Sequence, residues 1–211
     1  TQKRFFINLD EKLKTKTEVV YPSVNKKKKL TKKKNYITFI GKLNESKGYD
    51  FFSRSIVRIL DEFPKWKAFS LGDEDRRNIF INHKRHFELG FLKHSKVLNL
   101  LDKTAISVVP SRWEEPFGRT ALESASRGCA TIISNKGGLP ETTKQAIVLR
   151  TLDENNLYKQ IRLLIKNDRK RKLIQEQSFQ NIDHVISENS ILLDKIRQEC
   201  LPYSNFNFIK N

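Results

Sequence analysis

Methionine is absent from all 211 residues, position 1 included. The sequence is therefore expected to be part of a longer chain. Cysteine is nearly absent: Cys129 and Cys200 stand far apart and lack metal-ligand spacing. That excludes a disulfide scaffold and a zinc motif, and leaves two reduced thiols, as expected in the cytoplasm. No apolar run is long enough to cross a bilayer, and no signal-peptide pattern opens the chain. The four histidines, His83, His86, His94 and His184, show neither triad nor metal spacing. No bound metal is expected.

Acidic residues are also scarce. Lys and Arg number 41 against 24 Asp and Glu, a formal charge of +17. Such an excess attracts polyanions. The lysines are densest at Lys26-Lys27-Lys28-Lys29 and Lys32-Lys33-Lys34. The plain reading is a solvated linker. The sharper one is a peripheral contact of Lys26–Lys34 with the inner face of an anionic membrane, at about 1 kcal/mol per lysine. Nucleic acid is not an expected partner, because no aromatics interleave the run and no recognition motif accompanies it.

At 37% hydrophobic the chain is globular and long enough for one good-sized core. Strand-like runs at Asn35–Ile40, Trp66–Leu71, Phe87–Leu92, Ala105–Val109, Ala130–Ile133 and Gln145–Leu149 alternate with helical patterns. The spacing of Phe52, Ile56, Ile59 and Leu60 predicts a helix over Tyr49–Glu62, stopped by Pro64. Ser95 is a candidate N-cap for the next helix, and Asp153 for the one carrying Leu157, Ile161, Leu164 and Ile165. Leu173 and Ile174 mark a further helix. Another begins near Ser190 and closes at Pro202. Arg4–Ile7 and Glu18–Tyr21 read as short strands. The alternation predicts an α/β class: a Rossmann-like, doubly wound parallel sheet with ligands at the carboxyl ends of its strands. We divide the chain into a leading segment and linker (1–34), a ligand-binding domain (35–186) and a C-terminal helix and tail (187–211).

One stretch organises the rest. After the Ala105–Val109 strand, Pro110 stops the run and Pro116 holds Glu115 extended. Phe117-Gly118 lets the chain turn, and a helix begins near Arg119 with Gly128 as its stop. Free N–H groups and partial positive charge at such a helix start suit a diphosphate. Glu115 and Glu123 flank it as acceptors for ligand hydroxyls. Gly137-Gly138 forms another loop where backbone can approach a ligand closely.

Glu115-Pro-Phe-Gly, with Glu123 eight positions on, resembles the signature of retaining GT-B glycosyltransferases of the family 4 type. Phe39-Ile-Gly-Lys-Leu43 with Lys47-Gly48 is similar to that family's Gly-Arg-Leu…Lys-Gly loop, with lysine in place of arginine. Asn135-Lys-Gly-Gly-Leu-Pro-Glu141 resembles its Gly-Gly-Leu-Pro-Glu loop. The resemblance implies the C-terminal, donor-binding half of a GT-B fold, whose acceptor-binding N-terminal domain lies outside this sequence. It implies a nucleoside diphosphate sugar as donor substrate, a saccharide or lipid-linked acceptor, and no cofactor. Lys42 and Lys47 would neutralise the leaving diphosphate, and Glu115 would contact the transferred sugar. Gly41, Phe117, Gly118, Arg119, Thr120 and Gly138 would present backbone to sugar and phosphate, and Glu123 would hold the ribose. Polysaccharide or lipopolysaccharide synthesis is the implied setting. The alternatives are a non-catalytic nucleotide-sugar binding module and a basic adaptor at a membrane surface.

Overall fold

The alternating runs resolve into six parallel strands and seven α-helices among the described residues of the computed structural model, which are 20–25, 27–74, 79–182 and 186–200. In chain order these are β1 (Lys34–Ile40), α1 (Tyr49–Glu62), β2 (Lys67–Leu71), β3 (His86–Glu88), α2 (His94–Lys103), β4 (Thr104–Val109), α3 (Arg119–Ser126), β5 (Ala130–Ser134), α4 (Leu139–Thr142), β6 (Ile147–Leu149), α5 (Glu154–Lys166), α6 (Asp168–Gln180) and α7 (Ile186–Cys200). The strands lie in the order β3-β2-β1-β4-β5-β6, every pair parallel. The chain fills one half of the sheet, returns to the centre and fills the other half. The reversal falls between β1 and β4, so the loops leaving those two strands diverge and open a crevice.

Strand alternation decides which side chains meet which helices. Ile37 lies opposite Ile106, and Ile106 opposite Ala130; Phe39 lies opposite Val108, and Val108 opposite Ile132. These two rows form one face, covered by Phe52, Ile56, Ile59 and Leu60 of α1 and by Leu157, Ile161 and Leu164 of α5. The out-of-phase residues pack separately: Val109 and Ile133 against Ala121 of α3, and Leu71 against Val97 and Leu101 of α2. Every residue of β4 and β5 is buried, as expected for central parallel strands covered on both sides.

Helix α1 has the predicted bounds. Asp153 caps α5, its Oδ1 accepting from the Asn156 N–H at 2.8 Å. Ser95 does not cap α2. That helix starts one residue earlier, and the Lys93 carbonyl takes the N–H groups of Lys96 and Val97 at 2.9 and 3.2 Å. Ser95 thus sits inside the first turn. The predicted strand at Arg4–Ile7, the residues Glu18 and Val19, Lys26, His184 and Pro202 lie outside the described residues.

The lysine-rich segment is not a solvated linker throughout. Lys27 Nζ donates to Asp102 Oδ2 at 2.6 Å. Lys33 Nζ donates to the carbonyls of Leu101, Asp102 and Arg127 at 3.0, 3.1 and 2.5 Å. The cause is local: α2 and α3 both end beside this segment, and the last carbonyls of a helix need donors from outside it. Burial pulls the Lys33 ammonium below its usual pKa. Cys129 lies in the same place, buried and unpaired, its thiol pushed up to about 11 by burial. Among the described residues no helix is long and apolar enough to cross a membrane.

His86 is expected to make the fold pH-sensitive. Its Nε2 lies 2.8 Å from Ser70 Oγ, and burial lowers the imidazole below its usual 6.5. Below about pH 6.5 the unfolded chain takes up a proton that the folded imidazole resists. The stability is present above that pH and is lost as pH falls through the lower, folded value. Urea midpoints measured from pH 8 to pH 5 should fall more steeply for the wild type than for His86→Gln. Parallel curves would show that His86 carries no such linkage.

Candidate functional site

Three loops at the carboxyl edge of the sheet build the site. The first follows β1. Gly41 N–H donates to the Leu71 carbonyl at 3.0 Å, and Asn44 Oδ1 then accepts from the Lys47 N–H at 3.2 Å, starting the short 3-10 turn Glu45–Lys47. Gly48 leaves that turn at φ 72°, and a Cβ there would lie 2.0 Å from the Pro110 carbonyl oxygen. Only glycine lets this loop close against the end of β4.

The second loop, after β4, is tied to the first. Ser46 O accepts the N–H groups of Arg112 and Trp113 at 2.9 and 3.1 Å. The Arg112 guanidinium grips both carboxylate oxygens of Asp50, at 2.8 and 2.6 Å, and donates to Glu45 O at 2.7 Å. Its Cζ lies 3.9 Å from the centroid of the Phe51 ring. A planar fork on two oxygens with an aromatic face beside it is a geometry that lysine cannot reproduce. The Asp50 side chain is only 7% exposed and that of Arg112 34%, so the carboxylate is sheltered while the guanidinium keeps part of its surface in water.

The third loop, after β5, buttresses the second. Ser134 Oγ donates to Ser111 O at 2.6 Å. Glu114 accepts from Lys136 Nζ at 3.0 Å and from the Gly137 N–H at 2.6 Å, and the Lys136 bond holds its carboxyl below the usual range. Gly138 N–H donates to Glu115 O at 2.7 Å. A Cβ at Gly137 would stand 2.2 Å from Glu115 O, and one at Gly138 would stand 2.6 Å from Pro116 O. The bare faces of these glycines are filled by the Glu114–Phe117 backbone, and the Gly138 N–H is taken by Glu115 O.

Between the first two loops lies a cleft of about 400 Å³. Gly41, Lys47, Glu115, Phe117, Gly118, Arg119 and Thr120 line it, with Pro22 from the leading segment. Lys47 Nζ meets Glu115 Oε1 at 2.6 Å. The N-terminus of α3 opens here; Gly118 stands at its cap with no side-chain cap bond, so the first-turn N–H groups lack a side-chain acceptor. Phe117 is buried, and its ring lies 5.2 Å from Tyr21. Tyr21 OH donates to Glu141 Oε2 at 2.7 Å, a bond that raises the phenol's pKa.

Glu123 sits one turn further along α3, where its Oε1 takes His94 Nε2 at 3.0 Å and Arg119 Nη2 at 3.5 Å. The predicted site residues gather at one edge of the sheet, but three of them do not line the cleft: Lys42 is exposed, Gly138 lies behind the Glu115 loop, and Glu123 is engaged by His94 and Arg119. The sequence holds one Asp-x-Asp triplet, Asp73-Glu74-Asp75. Asp75 is outside the described residues, and Glu74 Oε2 accepts from Asn44 Nδ2 at 2.7 Å. Among the described residues no three His, Cys, Asp or Glu side chains gather as a metal site.

Sequence reasoning missed the Asp50–Arg112 clamp, the His94 contact and the part played by Tyr21 and Pro22. Asp50 and Arg112 flank the recognised motifs, but 62 positions separate them and no local period links them. Arg112→Lys keeps the charge and loses the fork. It should lower unfolding stability by about 1–2 kcal/mol, with Phe51 fluorescence-silent but Trp113 emission shifted as the loop loosens. Denaturant melts and tryptophan spectra of the variant test this; unchanged midpoint and spectrum would mean that the clamp does not hold the loop.

Comparison with known proteins agrees with this geometry. Residues 22–181 match the family model described as "Glycosyl transferases group 1". An uncharacterised glycosyltransferase of Methanocaldococcus jannaschii is 31% identical over 119 residues, covering 53% of this chain and 30% of the relative. The chain spans less than half the length of the curated relatives it matches. The crystal structure of the C-terminal domain of a glycosyl transferase group 1 family protein (LpcC) from Francisella tularensis aligns with a TM-score of 0.62 at 21% identity, over 77% of this chain and 93% of that one. Anabaena HepE, solved in complex with UDP-glucose, aligns at 0.63 and 17% identity, over 78% of this chain and 49% of that one. The Rossmann-like sheet is thus the fold of a GT-B C-terminal half. With three-quarters of its length inside the family model, the chain belongs to the glycosyl transferases group 1 family.

Proposed function

We propose that the cleft binds a nucleoside diphosphate sugar and that this chain is the donor-binding part of a retaining glycosyltransferase of the family 4 type. The observation that carries the reading is the Lys47–Glu115 pair, 2.6 Å apart, beside the uncapped start of α3 at the strand-order reversal. A cation, an acceptor for hydroxyls and a helix N-terminus in one crevice are what a pyrophosphate-linked sugar requires. The UDP-glucose held by HepE, a protein of the same fold, supports a nucleotide-sugar donor here.

On this reading Lys47 leaves Glu115 for the diphosphate, and Lys42 adds charge from the rim. Glu115 then accepts hydroxyls of the sugar, and Glu123 accepts those of the ribose. Gly41, Gly118, Arg119 and Thr120 present backbone, while Phe117 packs beneath. In the transfer, the bond from the sugar's anomeric carbon to the diphosphate oxygen breaks, and a bond to the acceptor oxygen forms on the same face. The acceptor's proton passes to the departing phosphate. Positive side chains and the helix end stabilise that leaving group, without a bound metal. The acceptor, a saccharide or a lipid-linked sugar, docks on a further domain.

Thermal-shift screening with UDP-, GDP-, ADP- and TDP-sugars should find one donor that raises Tm by several degrees. Lys47→Ala and Glu123→Ala should each weaken that donor by about tenfold in calorimetry, equivalent to one or two hydrogen bonds to a charged group. Full affinity in both variants would place the donor elsewhere.

A further inference from the structure

The donor site as read from sequence contains no histidine, yet His94 bonds Glu123, which stands on α3 one turn beyond the cleft-lining Arg119 and Thr120. Glu123 Oε1 is engaged twice: by His94 Nε2 at 3.0 Å, from the first residue of α2, and by Arg119 Nη2 at 3.5 Å, from the first residue of α3. Both bonds fall on Oε1, and Oε2 accepts no hydrogen bond among the described residues. The carboxylate is therefore anchored through one oxygen. Its side chain is 11% exposed, whereas that of His94 is 60% exposed. The histidine lies on the solvent side and the acid beneath it.

We propose that His94 is a positioning residue for ribose recognition. It holds the rotamer of Glu123 so that Oε2 faces a ribose diol as an acceptor. This rests on the reading that Glu123 meets the ribose. The physical ground is the cost of fixing a mobile side chain. A glutamate free to rotate loses that freedom when ligand binds, whereas one held by two elements has lost it on folding. Arg119 alone is a weaker anchor, since its guanidinium is farther away and its side chain is 70% exposed. The imidazole donates from Nε2 either as the Nε2–H tautomer or when protonated.

The test is discrimination between a nucleoside diphosphate and its 2′-deoxy form, measured by calorimetry with UDP and 2′-deoxy-UDP, or with the guanosine pair if GDP is the nucleotide that binds. Wild type should prefer the ribose form by about tenfold. His94→Phe should bring the ratio close to one while the melting temperature and the affinity for the deoxy form stay put. His94→Gln, which keeps an amide donor, should restore most of the preference. Glu123→Ala should also bring the ratio to one. A ratio unmoved in His94→Phe but lost in Glu123→Ala overturns the histidine's role alone. A ratio unmoved in Glu123→Ala overturns the ribose assignment beneath it.

Discussion

The site depends on two loops being held against each other across the gap where the strand order reverses. β1 and β4 are neighbours, but their loops lead to helices on opposite faces of the sheet, and nothing in the ladder keeps the loops together. The Asp50–Arg112 fork and the Ser46 carbonyl supply that tie. Charge-assisted, bidentate and made to a sheltered carboxylate, it outweighs an ordinary surface ion pair. With it in place, Lys47 comes from one loop and Glu115 from the other, and they meet in the cleft. Each belongs to a different βα unit, so their 2.6 Å contact reports on loop docking as much as on charge.

The third loop acts through backbone. Gly137 and Gly138 take the space beneath Glu115 and Pro116, and Glu114 reaches back to the Gly137 N–H. The Glu-Pro-Phe-Gly turn is thereby fixed from below by glycines and from the side by the Phe117–Tyr21 contact. A stiff turn at the start of α3 is what lets unbonded N–H groups stay aimed at one point. Structure that reads as ligand-binding in the sequence thus serves partly to hold the cleft's other loops still.

Charge is arranged with the same economy. A net charge of +17 suggests a surface for polyanions, yet Lys27, Lys33 and Arg112 spend their charge on carboxylates and carbonyls within the fold. Lys33 satisfies carbonyls at the ends of two helices at once, a role usually divided among separate caps. Among the described residues the positive side chains lining the cleft are Lys47 and Arg119, together with the end of α3.

By itself the sequence determined the α/β alternation, because apolar periods of two and of 3.6 are local properties. It also determined α1, the α5 cap at Asp153 and the three motif loops, because Gly, Pro and Asp act on the backbone within a few residues. Only the tertiary structure decided which of those motif residues share a cleft and which stand behind it. Lys42 and Lys47 look equivalent in one loop, but the turn at Glu45–Lys47 sends only the second toward Glu115. His94 and Glu123, like Asp50 and Arg112, acquire meaning through contacts between elements far apart in the chain. Such contacts follow from strand order and helix packing, and no short window of sequence encodes them.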